Sequence, residues 1–367
     1  MMHSRTLGRA LVALALLCAV SIPAGAALPR QGGLTARLDA DAFFGLAESP
    51  MVTVTLANTG NADLYLVRWQ TPLAGLDADL FAVTRDGEPV EYTGRLVKFA
   101  RPTAGDYIRI PAGGELSARV DLAAAYDFTK RGEYTVQYRV DLQDALRDAT
   151  PAKIGALTEL VSNRAIMAVE RDDRAVDFLK GLQPIQGKAG STSFSGCSSG
   201  DQSALNTARG NATTYSSGAK SYLDGHTATT AGPRYTTWFG TPTTSLYNTV
   251  SDHFDAELGA FQNAAITFDC GTCRTDPNYN NYYAYVYSTQ PYTIYLCGAF
   301  WSAGATGTDS KAGTLVHEMS HFNVVAGTND NAYGQTACKK LAQKNPRKAV
   351  DNADSHEYFA ENNPALN

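Results

Sequence analysis

A chain of 367 residues is longer than one hydrophobic core usually supports, so we expect two domains. A hydrophobic content of 44% and a charged content of 18% are typical of a globular protein and exclude a disordered or fibrous chain. The formal net charge of -5 provides no basic surface, which excludes nucleic acid as an expected partner.

The N-terminus has the pattern of a secretory signal peptide over residues 1–26. Arg5 and Arg9 precede the apolar run "LVALALLCAV", which is too short to span a bilayer. The small residues from Ala24 to Ala26 then provide a signal-peptidase cleavage site. We therefore predict a secreted, extracellular protein without a membrane span.

Residues 27–161 alternate apolar and polar residues in short runs such as "MVTVTLAN", "YIRIPAG" and "GEYTVQYRV". Turn residues separate these runs, which predicts an all-β, immunoglobulin-like sandwich with Tyr134 as a candidate corner tyrosine. This region contains no histidine and no cysteine, so we expect little chemistry from it.

Residues 162–190 lose this periodicity in "FLKGLQPIQGKAG", which predicts an exposed linker. An ordinary interdomain loop and a processed propeptide junction both fit this composition. The remaining domain, residues 191–367, mixes helical spacing in "NTVSDHFDAELGAF" with strand-like runs in "AYVYSTQPYTIYLCG". The sequence therefore predicts an α+β domain after the linker.

The segment "HEMSH" in this second domain has the spacing of a metal site. On a helix His317 and His321 lie on one face and can bind one ion, while Glu318 can take a proton from a water that the metal activates. A water made acidic by the metal and a carboxylate base are the chemistry of zinc proteases.

The residues alone leave the third ligand open. Val324 and Gly327 stand where the metzincin pattern requires glycine and histidine, which excludes that class. Asp330 and Glu357 are the two candidates that remain, and Glu357 as ligand would indicate a protease of broader specificity. A further alternative is a non-enzymatic secreted binding protein whose second domain is structural.

The segment "HEMSH" followed by "GTNDNAYG" resembles the signature of the deuterolysin-type zinc endopeptidases, the aspzincins. The segments "GCSS", "PRYTTWFGT", "YLCGAFW" and "NADSHEYFAENNPA" resemble the peptidyl-Lys metalloendopeptidase branch of that family, over essentially all of residues 191–367. The resemblance implies a zincin-like α+β catalytic domain with the HExxH motif on a helix, one catalytic zinc ion, and a proenzyme in which the β-region is the propeptide.

The same resemblance assigns roles to individual residues. It makes His317, His321 and Asp330 the zinc ligands and Glu318 the general base, and it places Tyr333 at the oxyanion of the reaction intermediate. Physical chemistry supports this role as well, because a phenol that donates a hydrogen bond to developing negative charge stabilises the transition state strongly.

Five of the six cysteines lie in the second domain, and an oxidising compartment favours disulfides among them. The resemblance implies the pairs Cys197 with Cys270 and Cys273 with Cys297. Cys338 is then left over, either as a buried free thiol or in an intermolecular disulfide.

Asp354 and Glu357 are three residues apart and share one face if "DSHEYFAEN" is helical. Two convergent carboxylates suit a compact ammonium better than a planar guanidinium. Together with the resemblance, this predicts cleavage of Xaa-Lys bonds by a monomer whose partners are peptide substrates and its own propeptide. Processing is expected between Lys180 and Gly196, with Lys188 as a candidate self-cleavage point.

Overall fold

A computed structural model describes residues 33–40, 43–44, 49–143, 158–169, 190–274 and 279–367. The predicted signal peptide lies outside the described residues, and so do residues 170–189 of the predicted linker 162–190, which include Lys180 and Lys188.

The N-terminal region forms strands and short 3-10 turns. The strands are β1 Leu34–Ala40, β2 Phe43–Phe44, β3 Met51–Asn58, β4 Leu64–Val67, β5 Phe81–Arg85, β6 Glu88–Pro89, β7 Arg95–Phe99, β8 Tyr107–Ile110, β9 Glu115–Asp121, β10 Gly132–Leu142, β11 Thr158–Val161 and β12 Ala165–Val169. The 3-10 turns are Arg68–Gln70, Pro72–Ala74, Ala104–Asp106 and Leu122–Ala124.

Most of these strands belong to two sheets that share a core. The first has the order β1-β3-β9 and is antiparallel, and the second has the order β2-β12-β10-β5-β6, with β11 also paired to β10. Strands β4 and β8 form a separate antiparallel pair. Alternate residues of β3 and β10 point inward, so that Val54 and Tyr138 are buried in the same core. The hydroxyl of Tyr134 donates to the carbonyl of Lys130 at 2.8 Å, as a corner tyrosine does.

The β-region extends beyond the predicted boundary at residue 161. Strand β12 pairs with β10 in the order Gly132 opposite Val169 and Val136 opposite Ala165. The sequence of β12, "AIMAV", is continuously apolar and shows no alternation, which is why the sequence pattern does not reveal it.

The C-terminal region contains the remaining strands and the helices. The strands are β13 Thr192–Ser195, β14 Ile266–Asp269, β15 Tyr282–Tyr287 and β16 Thr293–Leu296. The helices are α1 Ser199–Asp224, α2 Pro233–Phe239, α3 Thr244–Asn263, α4 Gly298–Ser302, α5 Lys311–His321, α6 Gly334–Lys344, α7 Pro346–Val350 and α8 Ala353–Glu361.

The sheet of this region has the order β13-β14-β16-β15 and continues into β7 of the N-terminal region. Strands β13, β14 and β16 are parallel, whereas β15 is antiparallel to β16 on one side and to β7 on the other. Strand β7 of the N-terminal region therefore pairs outside the two β-rich sheets and forms an edge strand of the C-terminal sheet.

Helix α5 packs directly against α8, and a glycine makes this approach possible. A Cβ on Gly313 would lie 2.0 Å from Glu361 Oε1 and 2.8 Å from Glu357 Oε1. The close packing brings the carboxylates of α8 beside the "HEMSH" segment of α5.

Two disulfides tie the strands of this region together. Cys197 is joined to Cys270 and Cys273 to Cys297, and Cys338 is buried without a disulfide partner among the described residues. In the part of the chain that the structure describes, every helix is too short or too polar to cross a membrane.

Candidate metal and peptide-binding site

Helix α5 begins at a well-defined cap that fixes the site residues. The hydroxyl of Ser310 accepts a hydrogen bond from the backbone N–H of Gly313, and Glu361 in turn accepts from the Ser310 N–H at 3.0 Å and hydroxyl at 2.8 Å. The other end of the helix carries His317 and His321, whose side chains are fully buried. Cap and helix packing together hold the two imidazoles on one face.

The ring of His321 is oriented by the loop after α5. Its Nδ1–H donates to the carbonyl oxygen of Thr328 at 2.7 Å. Since a carbonyl only accepts, the proton stays on Nδ1 and the lone pair of Nε2 is left for a metal. This outer contact is of the kind that usually supports a metal-ligating histidine.

Asp330 is carried to the histidines by a loop that is fastened to the start of α8. Asn329 donates its N–H to the carbonyl of Asp351 at 3.1 Å, and its own carbonyl accepts from the N–H of Ala353 at 3.1 Å. On the other side of Asp330, the N–H of Ala332 donates to the side chain of Asn352 at 2.8 Å. The loop is therefore fixed on both sides of the candidate ligand.

Three ligand atoms converge on one point. The Nε2 atoms of His317 and His321 are 3.1 Å apart, and the carboxylate oxygens of Asp330 lie 3.3 Å from the first and 3.5 Å from the second. Tetrahedral zinc with bonds of about 2.0–2.1 Å keeps its ligand atoms about 3.3 Å apart. Within the described part of the chain, both oxygens of Asp330 are buried without a hydrogen-bond partner, so the donor set fits a zinc ion.

Glu357, the other candidate for third ligand, faces a different atom. Its Oε2 lies 3.6 Å from the Nδ1 of His317, on the side of that ring away from His321. Asp330 contacts the Nε2 atoms of both histidines, and this geometry favours Asp330 over Glu357 as the completing ligand.

Glu318 is fully buried beside this group, and neither of its oxygens has a hydrogen-bond partner among the residues that the structure describes. Burial raises the pKa of this carboxyl to about 8. A buried carboxyl whose oxygens are not engaged by these neighbouring side chains is free to act on a water molecule or a substrate.

The two histidines have opposite pKa shifts. Burial lowers the pKa of His317, but the Asp330 carboxylate more than offsets this and raises it to about 10. Burial lowers the pKa of His321 to about 4. Near neutral pH His317 is therefore an imidazolium with both ring nitrogens protonated in the absence of a cation, and a metal that binds at Nε2 must displace the proton there.

Tyr333 places its hydroxyl at a peptide carbonyl. The phenol donates to the carbonyl oxygen of Val97, in strand β7, at 3.0 Å. Burial raises the pKa of Tyr333 well above 10, so the phenol keeps its proton and remains a donor.

Asp354 and Glu357 hold a lysine ammonium that belongs to the chain itself. The Nζ of Lys98 lies 2.5 Å from Glu357 Oε2 and 3.2 Å from Asp354 Oδ1, and all three side chains are buried. Burial alone would raise the pKa of Asp354, but the Lys98 ammonium holds it well below its usual range. Burial raises the pKa of Glu357 well above its usual range despite the same ammonium.

Two residues of this pocket, Asp309 and Lys98, have no role in the prediction from sequence. Asp309 lies 3.7 Å from the Lys98 ammonium and accepts from the Tyr358 hydroxyl at 2.6 Å. It stands just before the Ser310 cap, inside the segment "GTDSKAGTLVHE", which also resembles the peptidyl-Lys branch and was the available signal. Lys98 offered no signal, because an isolated lysine in a β-rich sequence is normally an exposed residue.

The surroundings of α8 also include a pair of histidines that spacing did not reveal. The Nδ1 of His253 lies 3.0 Å from the Nε2 of His356, whose own Nδ1 lies 3.1 Å from the carbonyl of Asn352. His253 is separated from His356 by 103 residues, so only the fold brings the two rings together.

The chain is similar to a known family of metallo-endopeptidases. Residues 224–361 match the model of the aspzincin family, described as lysine-specific metallo-endopeptidase. An extracellular protease of Aeromonas hydrophila is 40% identical over 338 residues, which cover 91% of this chain and 94% of that protein. A peptidyl-Lys metalloendopeptidase of Grifola frondosa is 40% identical over 331 residues, 86% of this chain and 88% of that protein.

Among solved structures, a zinc peptidase from Grifola frondosa is 52% identical to the part of this chain that it matches. The match covers 47% of this chain and 100% of that chain, with a TM-score of 0.43.

Proposed function

We propose that this chain, which belongs to the aspzincin family of lysine-specific metallo-endopeptidases, hydrolyses peptide bonds on the amino side of lysine with one zinc ion held by His317, His321 and Asp330. The chain is a zinc metalloendopeptidase, which removes the alternative of a non-enzymatic binding protein. What remains to be proposed is which residues carry out each step.

The chemistry divides among the chain's own residues. A zinc ion at the three converging ligand atoms supplies Lewis-acid chemistry, because it acidifies water and polarises a carbonyl. Glu318 accepts a proton from the attacking water and returns it to the leaving amine. Tyr333 donates to the oxygen of the scissile carbonyl as negative charge develops there.

Lysine specificity is supported by one observation above all, the position of the Lys98 ammonium between Asp354 and Glu357. A substrate lysine in the same place would make the same charge-assisted contacts, and Asp309 would add a third carboxylate at 3.7 Å. A guanidinium is wider and needs a planar fork, so arginine fits this small group of oxygens less well.

We further propose that the protein is secreted as a monomeric proenzyme. The relative in Aeromonas hydrophila is named an extracellular protease, and residues 1–26 have the pattern of a signal peptide. The β-rich region would be an immunoglobulin-like propeptide, and processing would fall between Lys180 and Gly196.

A digest of denatured proteins with the processed enzyme tests the proposal. We expect cuts before lysine, loss of cleavage with a chelator, and recovery with zinc. The Glu318→Gln variant serves as the control, because it should bind zinc but cut nothing. Cuts spread over apolar residues with no excess before lysine would overturn the specificity, and the Glu357-ligand alternative implies a broader specificity of this kind.

A further inference from the structure

We propose that the C-terminal region selects a second residue of its substrates, an arginine three positions before the lysine, through the rings of Tyr279 and Tyr285. The lysine itself is bound in the lysine pocket, which is formed by Asp354 and Glu357. This inference rests on the proposed function and deepens it, since it adds a selective contact on the amino side of the scissile bond.

Strand β7 shows how an extended chain lies along the edge of the C-terminal sheet. It pairs antiparallel with β15, with Arg95 opposite Tyr287 and Val97 opposite Tyr285. Successive side chains of a strand point to opposite faces of a sheet. Arg95 and Val97 therefore lie on one face, whereas Lys98, whose ammonium is in the lysine pocket, lies on the other. A peptide in this register presents its lysine to one face and the residue three positions earlier to the opposite face.

The face opposite the lysine pocket carries a group of tyrosines, which we call the tyrosine face. Its members are Tyr279, Tyr282, Tyr285, Tyr287 and Tyr295. The rings of Tyr285 and Tyr295 are stacked with centroids 4.6 Å apart, and Tyr287 meets Tyr295 edge-on at 6.0 Å. The ring of Tyr279 lies 4.9 Å from that of Tyr282. All of these contacts are made within the C-terminal region, so the rings are held in place by their own region.

A disulfide supports the tyrosine face from behind. Cys273 and Cys297 are joined and are buried in the same hydrophobic cluster as Tyr282 and Tyr285. The N–H of Cys297 also donates to the carbonyl of Tyr283, in β15, at 2.9 Å. Rings held on such a base lose little freedom when a ligand binds, which leaves more of the contact energy as affinity.

The guanidinium of Arg95 contacts the tyrosine face through a hydrogen bond and two aromatic rings. Its Nη1–H donates to the hydroxyl of Tyr279 at 2.8 Å. Its Cζ atom lies over the Tyr279 ring, 5.1 Å from the centroid, and 5.5 Å from the centroid of Tyr285. A cation within about 6 Å of a ring centroid is attracted by the negative face of the ring. An arginine of a substrate in the same register would make the same contacts.

One contact of Arg95 is not available to a substrate. Its guanidinium also forms an ion pair with Asp77, and the hydroxyl of Tyr282 donates to the same carboxylate at 2.9 Å. Asp77 belongs to the N-terminal region, so a processed enzyme keeps the tyrosines and loses this carboxylate. The preference for arginine must therefore come from the tyrosine contacts, and a face that only holds the N-terminal region would show no such preference after processing.

The chemistry of the tyrosine face suits a guanidinium better than an ammonium. A guanidinium is planar and weakly hydrated, so it lies against a ring while its edge donates to a hydroxyl. An ammonium is compact and strongly hydrated, and it loses more when it is drawn partly out of water. A neutral side chain of the same shape lacks the attraction to the ring faces. The ligand is therefore an extended peptide with the pattern Arg-Xaa-Xaa-Lys.

Cleavage of matched peptides by the processed enzyme tests this inference. Three internally quenched peptides share the segment Leu-Val-Lys-Phe and carry arginine, citrulline or methionine directly before it. Citrulline is the matched control, because it has nearly the shape of arginine without the charge. The enzyme is recovered from the culture medium after processing and separated from its N-terminal region, and its intact mass identifies the processed form.

We expect kcat/KM for the arginine peptide to exceed that for the citrulline and methionine peptides about threefold to thirtyfold, the range of cation–π contacts from exposed to partly desolvated sites. All three peptides should be cut at the same bond, before lysine. Equal kcat/KM values for the three peptides would overturn the inference while the proposed function stands. If no peptide is cut before lysine, the proposed function fails, and the inference with it.

Variants of Tyr279 assign the preference to the tyrosine face. Tyr279→Phe loses the hydroxyl that accepts from the guanidinium but keeps the ring, so it should lower the ratio of kcat/KM for arginine over citrulline. Tyr279→Leu loses the ring as well and should bring this ratio close to one. Tyr292→Phe is the control, because it removes a hydroxyl from a tyrosine outside the tyrosine face, and it should keep the wild-type ratio.

The ratio compares two peptides on the same preparation, so it does not depend on the fraction of a variant that has folded. An arginine preference that survives unchanged in Tyr279→Leu would show that other residues cause it, and the inference would be overturned.

Discussion

The Oδ1 atom of Asp354 lies 2.8 Å from the Nδ1 atom of His317. This is a hydrogen-bonding distance, although the ring N–H does not point directly at the oxygen. The same oxygen lies 3.2 Å from the Lys98 ammonium, and the other oxygen of Asp354 accepts from the N–H of Gly334 at 2.6 Å. Asp354 therefore connects the lysine pocket to a candidate metal ligand.

Because of this connection, Asp354→Asn should weaken both metal binding and lysine recognition. The carboxylate behind a ligating imidazole fixes its tautomer, and loss of such a partner typically costs about 10–100-fold in metal affinity or activity. We expect a zinc affinity lower by about that factor, together with a fall in kcat/KM for Xaa-Lys bonds. Zinc competition with a chelator and peptide kinetics measure the two effects separately.

Glu357→Gln is the matched variant, since Glu357 is in the same pocket but 3.6 Å from the His317 ring. It should lower kcat/KM for lysine substrates about tenfold or more while zinc affinity stays within a few-fold of the wild type. Unchanged zinc affinity in Asp354→Asn would show that the 2.8 Å contact has no part in metal binding.

The identity of the third metal ligand leads to a second prediction. Asp330→Ala should abolish bound zinc, because it removes the carboxylate that faces both Nε2 atoms. Glu357→Ala should keep the metal. Metal content of the purified variants, measured by elemental analysis, decides between them, and the reverse result would favour the later-glutamate class.

Much of this site could be predicted from the sequence because its signals are local. One helix carries the consecutive residues His317 and Glu318 and, one turn later, His321. Asp330 follows within the same signature. The structure brings one possible ligand atom from each of the two imidazoles and the carboxylate within 4.8 Å of one another, while their roles stay a prediction. Local spacing on a helix is a reliable guide because the backbone geometry fixes it.

The contribution of the N-terminal region could not be predicted in this way. Its lack of histidine and cysteine suggested little chemistry, yet Lys98 fills the lysine pocket from 256 residues away in sequence. The short segment "RLVKF" is compatible both with a strand of the β-rich sheets and with a strand added to a neighbouring sheet. Only tertiary pairing distinguishes the two, and the sequence pattern carries no information on it.

Tyr333 provides a third prediction. Tyr333→Phe should lower kcat by about 10²–10³-fold, with zinc content and KM little changed, because the phenol acts mainly on charge that develops in the transition state. Tyr235→Phe is a suitable control, since the Tyr235 hydroxyl is buried without a hydrogen-bond partner among the described residues. A large rise in KM with unchanged kcat would indicate that Tyr333 serves substrate binding instead.

Glu318 allows a fourth prediction, which concerns maturation. Glu318→Gln should keep its zinc, lose about 10²–10⁴-fold or more in activity, and accumulate as the uncut precursor if the enzyme processes itself. N-terminal sequencing of secreted material gives the cleavage point, which we expect between Lys180 and Gly196. A Glu318→Gln chain that matures normally would show that another protease makes the cut.

The pair formed by His253 and His356 leads to the last prediction, a loss of stability in acid. The His356 Nδ1–H donates to the Asn352 carbonyl, so its Nε2 accepts from the His253 Nδ1–H, and both rings are neutral. Burial lowers the pKa of His253, and burial together with the neighbouring His253 lowers the pKa of His356 well below 6.5. The unfolded chain therefore binds more protons, and the pair's contribution, fully present above about pH 6.5, is lost as the pH falls through the folded pKa values. Each group contributes a slope of up to about 1.4 kcal/mol per pH unit in this range.

Denaturant unfolding between pH 5 and 7.5 should show a shallower pH dependence in His356→Gln than in the wild type or in His226→Gln, which removes a histidine outside the pair. Since all three chains keep the same metal ligands, equal slopes would mean that the histidine pair does not control the acid sensitivity.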